Sequence, residues 1–98
     1  MKYEITSTET FNKWFGKLKD FTVKQQLLAR FARLENGNFG DFKQLGQKLF
    51  ELRCFLAGGL RIYYTFRGEK VILLLTDGDK SSQAKDIAKA EQILTNME

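Results

Sequence analysis

Hydrophobic and polar positions change period several times along the chain. The opening MKYEIT alternates, with Tyr3 and Ile5 on one side, and predicts a short strand. Ser7 or Thr8 can then cap a helix whose first turn carries the negative charge of Glu9. Phe11, Trp14, Phe15 and Leu18 recur at helical spacing and mark its buried face. Asp20 and Thr22 supply the next break and cap. From Val23 to Glu35 the apolar set Val23, Leu27, Leu28, Phe31 and Leu34 again has helical period, with Lys24, Gln25, Arg30 and Arg33 largely outside it.

Residues 36–48 hold three of the eight glycines and little periodicity, which predicts an ordered connecting loop pinned to the core by Phe39, Phe42 and Leu45. Three strands follow, at residues 49–55, 60–66 and 70–76. The consecutive Leu73, Leu74 and Leu75 predict that the last is central and covered on both faces. A turn, DGDKSS, ends with Ser81 or Ser82 opening a final helix striped by Ile87, Ala90, Ile93 and Leu94. The predicted order is strand, two helices, three antiparallel strands and a helix, one α+β domain over residues 1–98.

Composition narrows the chemistry. The chain has 98 residues, a formal net charge of +4, no histidine and one cysteine. Cys54 has no partner for a disulfide, and without histidine the usual zinc ligand sets are missing; neither a metal nor a cofactor is expected. Cys54 reads as a small core residue, because a catalytic thiolate needs a nearby base. The N-terminus lacks the apolar stretch of a signal peptide and nothing is long enough to span a bilayer, so the expected location is the cytoplasm, with no membrane partner.

Alternation along the strands sets out the candidate site. Arg53 shares a face with Leu49, Glu51 and Phe55, and Arg61 shares one with Tyr63, Thr65 and Arg67, while Leu60, Ile62, Tyr64 and Phe66 face the core. Pairing through the Ala57-Gly58-Gly59 loop brings Arg53 near Arg61 and Glu51 near Tyr63. Two facing arginines repel unless countered, either by a bound phosphodiester or by Glu51 and nearby aspartates in an ordinary salt-bridge surface. Lys80, at the start of a helix, adds to the same positive field, or is simply a solvent-facing lysine in a capped turn. RNA carries its own nucleophile in the 2′-hydroxyl and can be cut without metal, by orientation, proton removal and charge stabilisation. Candidate bases are Glu51, Tyr63, Asp77, Asp79 and Asp86. Lys13, Lys17, Lys24 and Arg30 on the helices are either contacts to RNA phosphates or a solvated surface.

The run ELRCFLAGGLRIYYTF, followed by VILLLTDGDKSSQAKDIAKA, resembles the RelE/ParE superfamily of bacterial toxins, in particular HigB-like, phage-associated addiction-module killer proteins. The ELR segment, the glycine-preceded LRIYY strand and GDKSSQ-x-x-DI occur together at that family's spacing. The resemblance implies a RelE-like small antiparallel sheet with two N-terminal helices and a C-terminal helix. It implies a type II toxin, with a helix-turn-helix, HigA-like antitoxin as partner. RelE-like and HigB-like members cleave messenger RNA in the ribosomal A site, whereas ParE-like members inhibit DNA gyrase without nuclease activity. The first reading makes ribosome and mRNA the targets and the chain a metal-independent endoribonuclease.

Carried over one residue at a time, Arg61 matches the strand arginine that contacts the scissile phosphate. Arg53 matches a basic residue of the preceding strand, and Lys80 falls close to an arginine that follows the last strand. Glu51 stands where RelE-type enzymes have a lysine, and Asp86 falls roughly where some have a C-terminal tyrosine. The expected catalytic set is Arg61, Lys80, Arg53, Tyr63 and Asp86, and the expected RNA-binding set Arg53, Arg61, Arg67 and Lys80.

Overall fold

The computed structural model describes residues 2–97. Strand β1 (Glu4–Ser7) leads into helices α1 (Glu9–Lys17) and α2 (Phe21–Glu35). Strands β2 (Phe42–Gln44), β3 (Phe50–Arg53), β4 (Leu60–Arg67) and β5 (Val71–Asp79) follow, then a 3₁₀ turn over Lys80–Ser82 and helix α3 (Gln83–Met97). The five strands form one sheet in the order β1-β5-β4-β3-β2.

The helix starts follow their caps. Thr8 accepts the Phe11 N–H at 3.0 Å and Asp20 accepts the Val23 N–H at 3.1 Å, each satisfying a donor that the first helical turn leaves unpaired. On α2 the buried stripe is Val23, Leu27, Phe31 and Leu34. Leu28, expected in it, is turned outward and largely exposed, one position beyond the strip that the sheet can cover.

The strand predictions need three corrections. The sheet is mixed, because β1 runs parallel to β5, with Ile5 opposite Ile72 and Thr6 opposite Leu73. Two helices separate β1 from the rest of the sheet in sequence, so the local pattern carries no information on that pairing. The 36–48 segment contains the short edge strand β2, where Phe42 is half-exposed with its ring edge-on to Phe39, while Phe39 and Leu45 pack against the two cores as expected. Finally, β5 continues through Asp77, Gly78 and Asp79, which pair with Ile62, Arg61 and Leu60, where a turn was expected. Gly78 is there for close approach: a Cβ on it would lie 2.6 Å from the Tyr63 ring and 2.9 Å from an Asp86 carboxylate oxygen.

Each face of the sheet has its own core. Helices α1 and α2 cover the face carrying Leu52, Cys54, Leu60, Ile62, Tyr64, Ile72 and Leu74, with Phe11, Leu27, Phe31 and Leu34 packed onto them. Helix α3 covers the other face, where Ala90 meets Leu49, Tyr63, Leu73 and Leu75. The leucine run of β5 therefore does divide between two cores, and β5 is flanked by β1 and β4 as an inner strand. No helix among the described residues is long and apolar enough to cross a membrane.

Candidate functional site: a carboxylate-braced arginine pair

Arg53 and Arg61 are register partners across the β3–β4 ladder, and Glu51 is the partner of Tyr63, as the hairpin pattern predicts. All four side chains lie on the α3 side of the sheet. Glu51 sits between the arginines and is fully buried. Its Oε1 faces Arg53 Nε at 3.3 Å and its Oε2 faces Arg61 Nε at 3.4 Å. The Arg53 contact has hydrogen-bond geometry, whereas Arg61 Nε is held by charge alone and has no directed acceptor. Oε2 also accepts from the Tyr63 hydroxyl at 3.1 Å and from Gln83 Nε2 of α3 at 2.8 Å. A buried carboxylate is tolerated because it is paired and hydrogen-bonded on both oxygens.

The arginines differ in freedom. The Arg53 side chain is 36% exposed and that of Arg61 13%. Arg61 spends Nη1 on the Gly59 carbonyl at 2.8 Å, which points its guanidinium toward the loop before β4. The Arg53 backbone is fixed from both sides: its N–H donates to the Asp41 carbonyl at 2.9 Å, and its carbonyl accepts from Arg30 Nη1 at 2.8 Å. Arg30, a possible RNA contact from sequence, is thus a strut between α2 and the end of β3, and it also reaches the Phe39 carbonyl at 3.3 Å. Of the other helical cations, Lys24 stands 5.0 Å over the Phe15 ring and Lys13 pairs with Glu9 at 3.1 Å.

Lys80 joins the arginines through the 54–59 loop. Its N–H donates to the Gly59 carbonyl at 3.1 Å. Gly59 has φ of +109°, and a Cβ there would meet the Lys80 Cβ at 2.9 Å, so only glycine allows the two chains this close. Arg53, Arg61 and Lys80 line one open cavity of about 430 Å³ whose remaining wall includes Cys54, Phe55 and Leu60. No carboxylate is among the described residues lining this cavity, and its three cations outnumber Glu51 behind them and Asp79 near Arg61, so it stays positive, as an anion requires.

The other expected site residues fall elsewhere. Tyr63 is fully buried beneath α3, and burial, followed by the Glu51 charge and hydrogen bond, holds its phenol well above the ordinary range. It braces Glu51 and has no free face on which a base can stack. Asp86 accepts from the Asp79 N–H at 3.0 Å and from Ser82 Oγ at 2.6 Å, tying α3 to the turn that carries Lys80. Asp79 caps that turn. The Ser81 N–H at 2.7 Å, followed by the Ser81 hydroxyl at 2.8 Å, holds its carboxyl below the usual range. Burial pushes Asp77 up. Arg67 is at the opposite end of β4, six residues or roughly 20 Å from Arg61 along the strand, where it approaches the Met97 sulfur at 4.0 Å. Cys54 lines the cavity floor, and its thiol is raised by burial, as suits a core residue. Among the described residues no group of three histidine, cysteine or acidic side chains is gathered as a metal site would require.

Two contributors have little sequence signal. Gln83 is one polar residue among many on α3 and matters only because α3 packs it onto Glu51. Phe55 looks like one more apolar residue of a strand, yet it is 84% exposed at the rim of the cavity.

Residues 13–98 match the family described as phage derived protein Gp49-like (DUF891). The chain is 42% identical over 91 residues to an uncharacterized protein of Haemophilus influenzae, covering 93% of this chain and 92% of that one. Among solved structures it is similar to an arginine-to-alanine double variant of the Escherichia coli toxin RelE in the free state. There the TM-score is 0.75 and the identity 21%, over 94% of this chain and 97% of that one. It is also similar to a chain of the intact E. coli RelBE toxin-antitoxin complex, with a TM-score of 0.63 and 25% identity over 79% and 95% of the two chains. A family model spanning nearly the whole chain, joined to that architecture, decides the classification: the chain belongs to the phage-derived Gp49-like family, on the RelE toxin fold within the RelE superfamily.

Proposed function

We propose that the protein is the toxin of a type II toxin-antitoxin system, HigB-like in kind, and acts as a ribosome-dependent, metal-independent mRNA endoribonuclease. The observation that carries this reading is the cavity rimmed by Arg53, Arg61 and Lys80, with the two arginines held in register by one buried carboxylate. Such a pair binds a phosphodiester at little reorganisation cost, because Glu51 already holds the guanidinium groups in place. The 2′-hydroxyl of the preceding nucleotide attacks phosphorus, forming the O2′–P bond as the P–O5′ bond breaks; its proton passes to water, and water protonates the departing 5′ oxygen, leaving a 2′,3′-cyclic phosphate. Arg53, Arg61 and Lys80 stabilise the charge that develops on the phosphoryl oxygens.

The cavity wall holds no carboxylate to take the 2′-hydroxyl proton. Glu51 is poorly suited to that task, since it is buried and both its oxygens are engaged by protein groups. The chain thus supplies orientation and electrostatics. That division of labour supports the ribosome-dependent form of the reading, in which the RNA is presented already held. An antitoxin partner is supported by the RelBE complex, in which a similar chain is bound to its antitoxin; the helix-turn-helix, HigA-like type in this reading comes from the sequence resemblance alone.

Mapping transcript ends after brief induction tests the proposal. New cuts inside translated codons are expected; double-strand DNA breaks with intact transcripts would assign the chain to gyrase inhibition instead.

A further inference from the structure

We propose that Phe55 is a stacking platform for one nucleobase of a single-stranded RNA whose phosphate lies among Arg53, Arg61 and Lys80. The inference rests on the endoribonuclease reading above and adds a base-binding subsite to it. Phe55 is 84% exposed, the most open of the large exposed apolar side chains, and it lines the same cavity as the three cations. Its neighbours turn the other way: Cys54 is buried and Leu56 packs against the α1/α2 core.

The backbone holds this arrangement. Cys54 N–H donates to the Leu60 carbonyl at 2.9 Å, and Leu56 N–H to the Cys54 carbonyl at 2.8 Å. The N–H groups of Gly59 and Leu60 both reach the Leu56 carbonyl at 3.1 Å. Ala57, Gly58 and Gly59 have φ of +50°, +75° and +109° in succession, and for Ala57 that conformation is unfavourable. A loop closed this tightly fixes where the Phe55 side chain leaves the backbone, so little backbone freedom is lost when a flat ligand covers the ring.

The rim chemistry favours a nucleotide over an apolar protein side chain. The cavity offers one flat aromatic face with cations beside it, and single-strand binding combines those two elements: bases stack on aromatic rings while a positive groove follows the backbone. Phe55 lies two residues after Arg53, about 7 Å along an extended chain, so a base and a nearby phosphate can be held together. A phenyl ring carries no hydrogen-bonding group, so the platform accepts any base.

The test uses a 2′-O-methyl RNA hexamer, which has no 2′-hydroxyl to react, at low salt. Phe55→Leu keeps the apolar volume but removes the π face, and is expected to weaken binding about tenfold, whereas Phe55→Trp retains it. In a Trp14→Phe background the indole introduced by Phe55→Trp is the sole tryptophan, and the hexamer is expected to quench its fluorescence. Wild-type binding by Phe55→Leu, with Arg61→Ala defective, overturns the platform and leaves the cation site standing. No hexamer binding by the wild type overturns the platform, while the endoribonuclease reading is judged separately by transcript cleavage in cells. Should Phe55→Leu weaken the antitoxin complex and leave RNA affinity unchanged, the ring is a protein contact and the proposal fails.

Discussion

The two faces of the sheet are built on different principles. The α1/α2 face is mainly apolar, with Phe50 stacked on Tyr64 at 5.4 Å and Phe11 stacked on Phe15 at 5.6 Å, and the Tyr64 hydroxyl is buried in it without a hydrogen-bond partner among the described residues. The α3 face has a smaller apolar core and gives the rest of its area to Glu51, Arg53, Arg61, Tyr63 and Gln83. Side chains alternate across β4, so Arg61 belongs to one face and Ile62 to the other. Adjacent residues therefore serve binding and stability separately, and substitutions along one strand should separate the two.

The largest effect is expected from Arg61→Ala, which removes one arm of the cation cluster. Transcript cleavage after induction should fall by about two to three orders of magnitude, on the scale of losing one positioned charge donor. Lys80→Ala should act the same way and leave thermal stability nearly unchanged, whereas Arg61→Ala should also lower it, because buried Glu51 loses one of its two ion-pair partners. If both variants remain fully toxic at wild-type expression, the site is misplaced. One residue on, Ile62→Ala should do the reverse. It should cost about 3 kcal/mol in denaturant unfolding, while any soluble protein keeps its cleavage pattern.

Glu51→Gln sharpens the contrast, because it removes a buried charge on which the α3 face depends. A loss of about 2 kcal/mol is expected in the same assay, together with weaker cleavage, since the arginines lose the carboxylate that spaces them. Gly59→Ala should be milder for stability, about 1 kcal/mol, because φ is positive there. Cleavage should still fall, since the new Cβ displaces Lys80 from its position 2.9 Å away. An unchanged rate in Gly59→Ala would show that the placement of Lys80 is not critical.

The smallest effect is expected at Asp77, whose carboxyl is raised by burial and by the Asp86 charge, against the lowering influence of its own backbone hydrogen bond and Lys89. Its folded-state pKa exceeds the unfolded one, so the native state binds more protons in the window above 3.8 and loses stability as pH rises through it. Asp77→Asn should therefore raise Tm slightly at pH 7, and the gain should vanish as the pH is lowered below about 4. Asp79 has the opposite sign. Its depressed carboxyl stabilises the turn above the unfolded pKa, and that contribution is lost only as pH falls through the lower folded value.

Much of this is legible in local pattern because it is local in cause. The caps Thr8 and Asp20 act within three residues, and the helical stripes need only period. The facing of Arg53 and Arg61 depends on one short loop, so the hairpin alone specifies it. Leu28 and Phe42 depart from expectation because burial depends on what lies opposite, and both stay partly uncovered, although the Phe42 ring meets Phe39 at 5.7 Å.

By itself, then, the amino-acid sequence determined the helices, the β3–β4 register, the core-facing side of β4 and the pairing of Arg53 with Arg61. Tertiary structure alone decided that β1 adds to the sheet in parallel and that β5 runs on past Asp77. It also decided that Tyr63 is a brace and that Glu51 neutralises the arginines from inside. These outcomes require α3 to return over the sheet and bring Gln83 and Asp86 onto residues up to 32 positions away. A carboxylate acts as base, metal ligand or brace according to what surrounds it, and that surrounding is assembled only when distant segments pack.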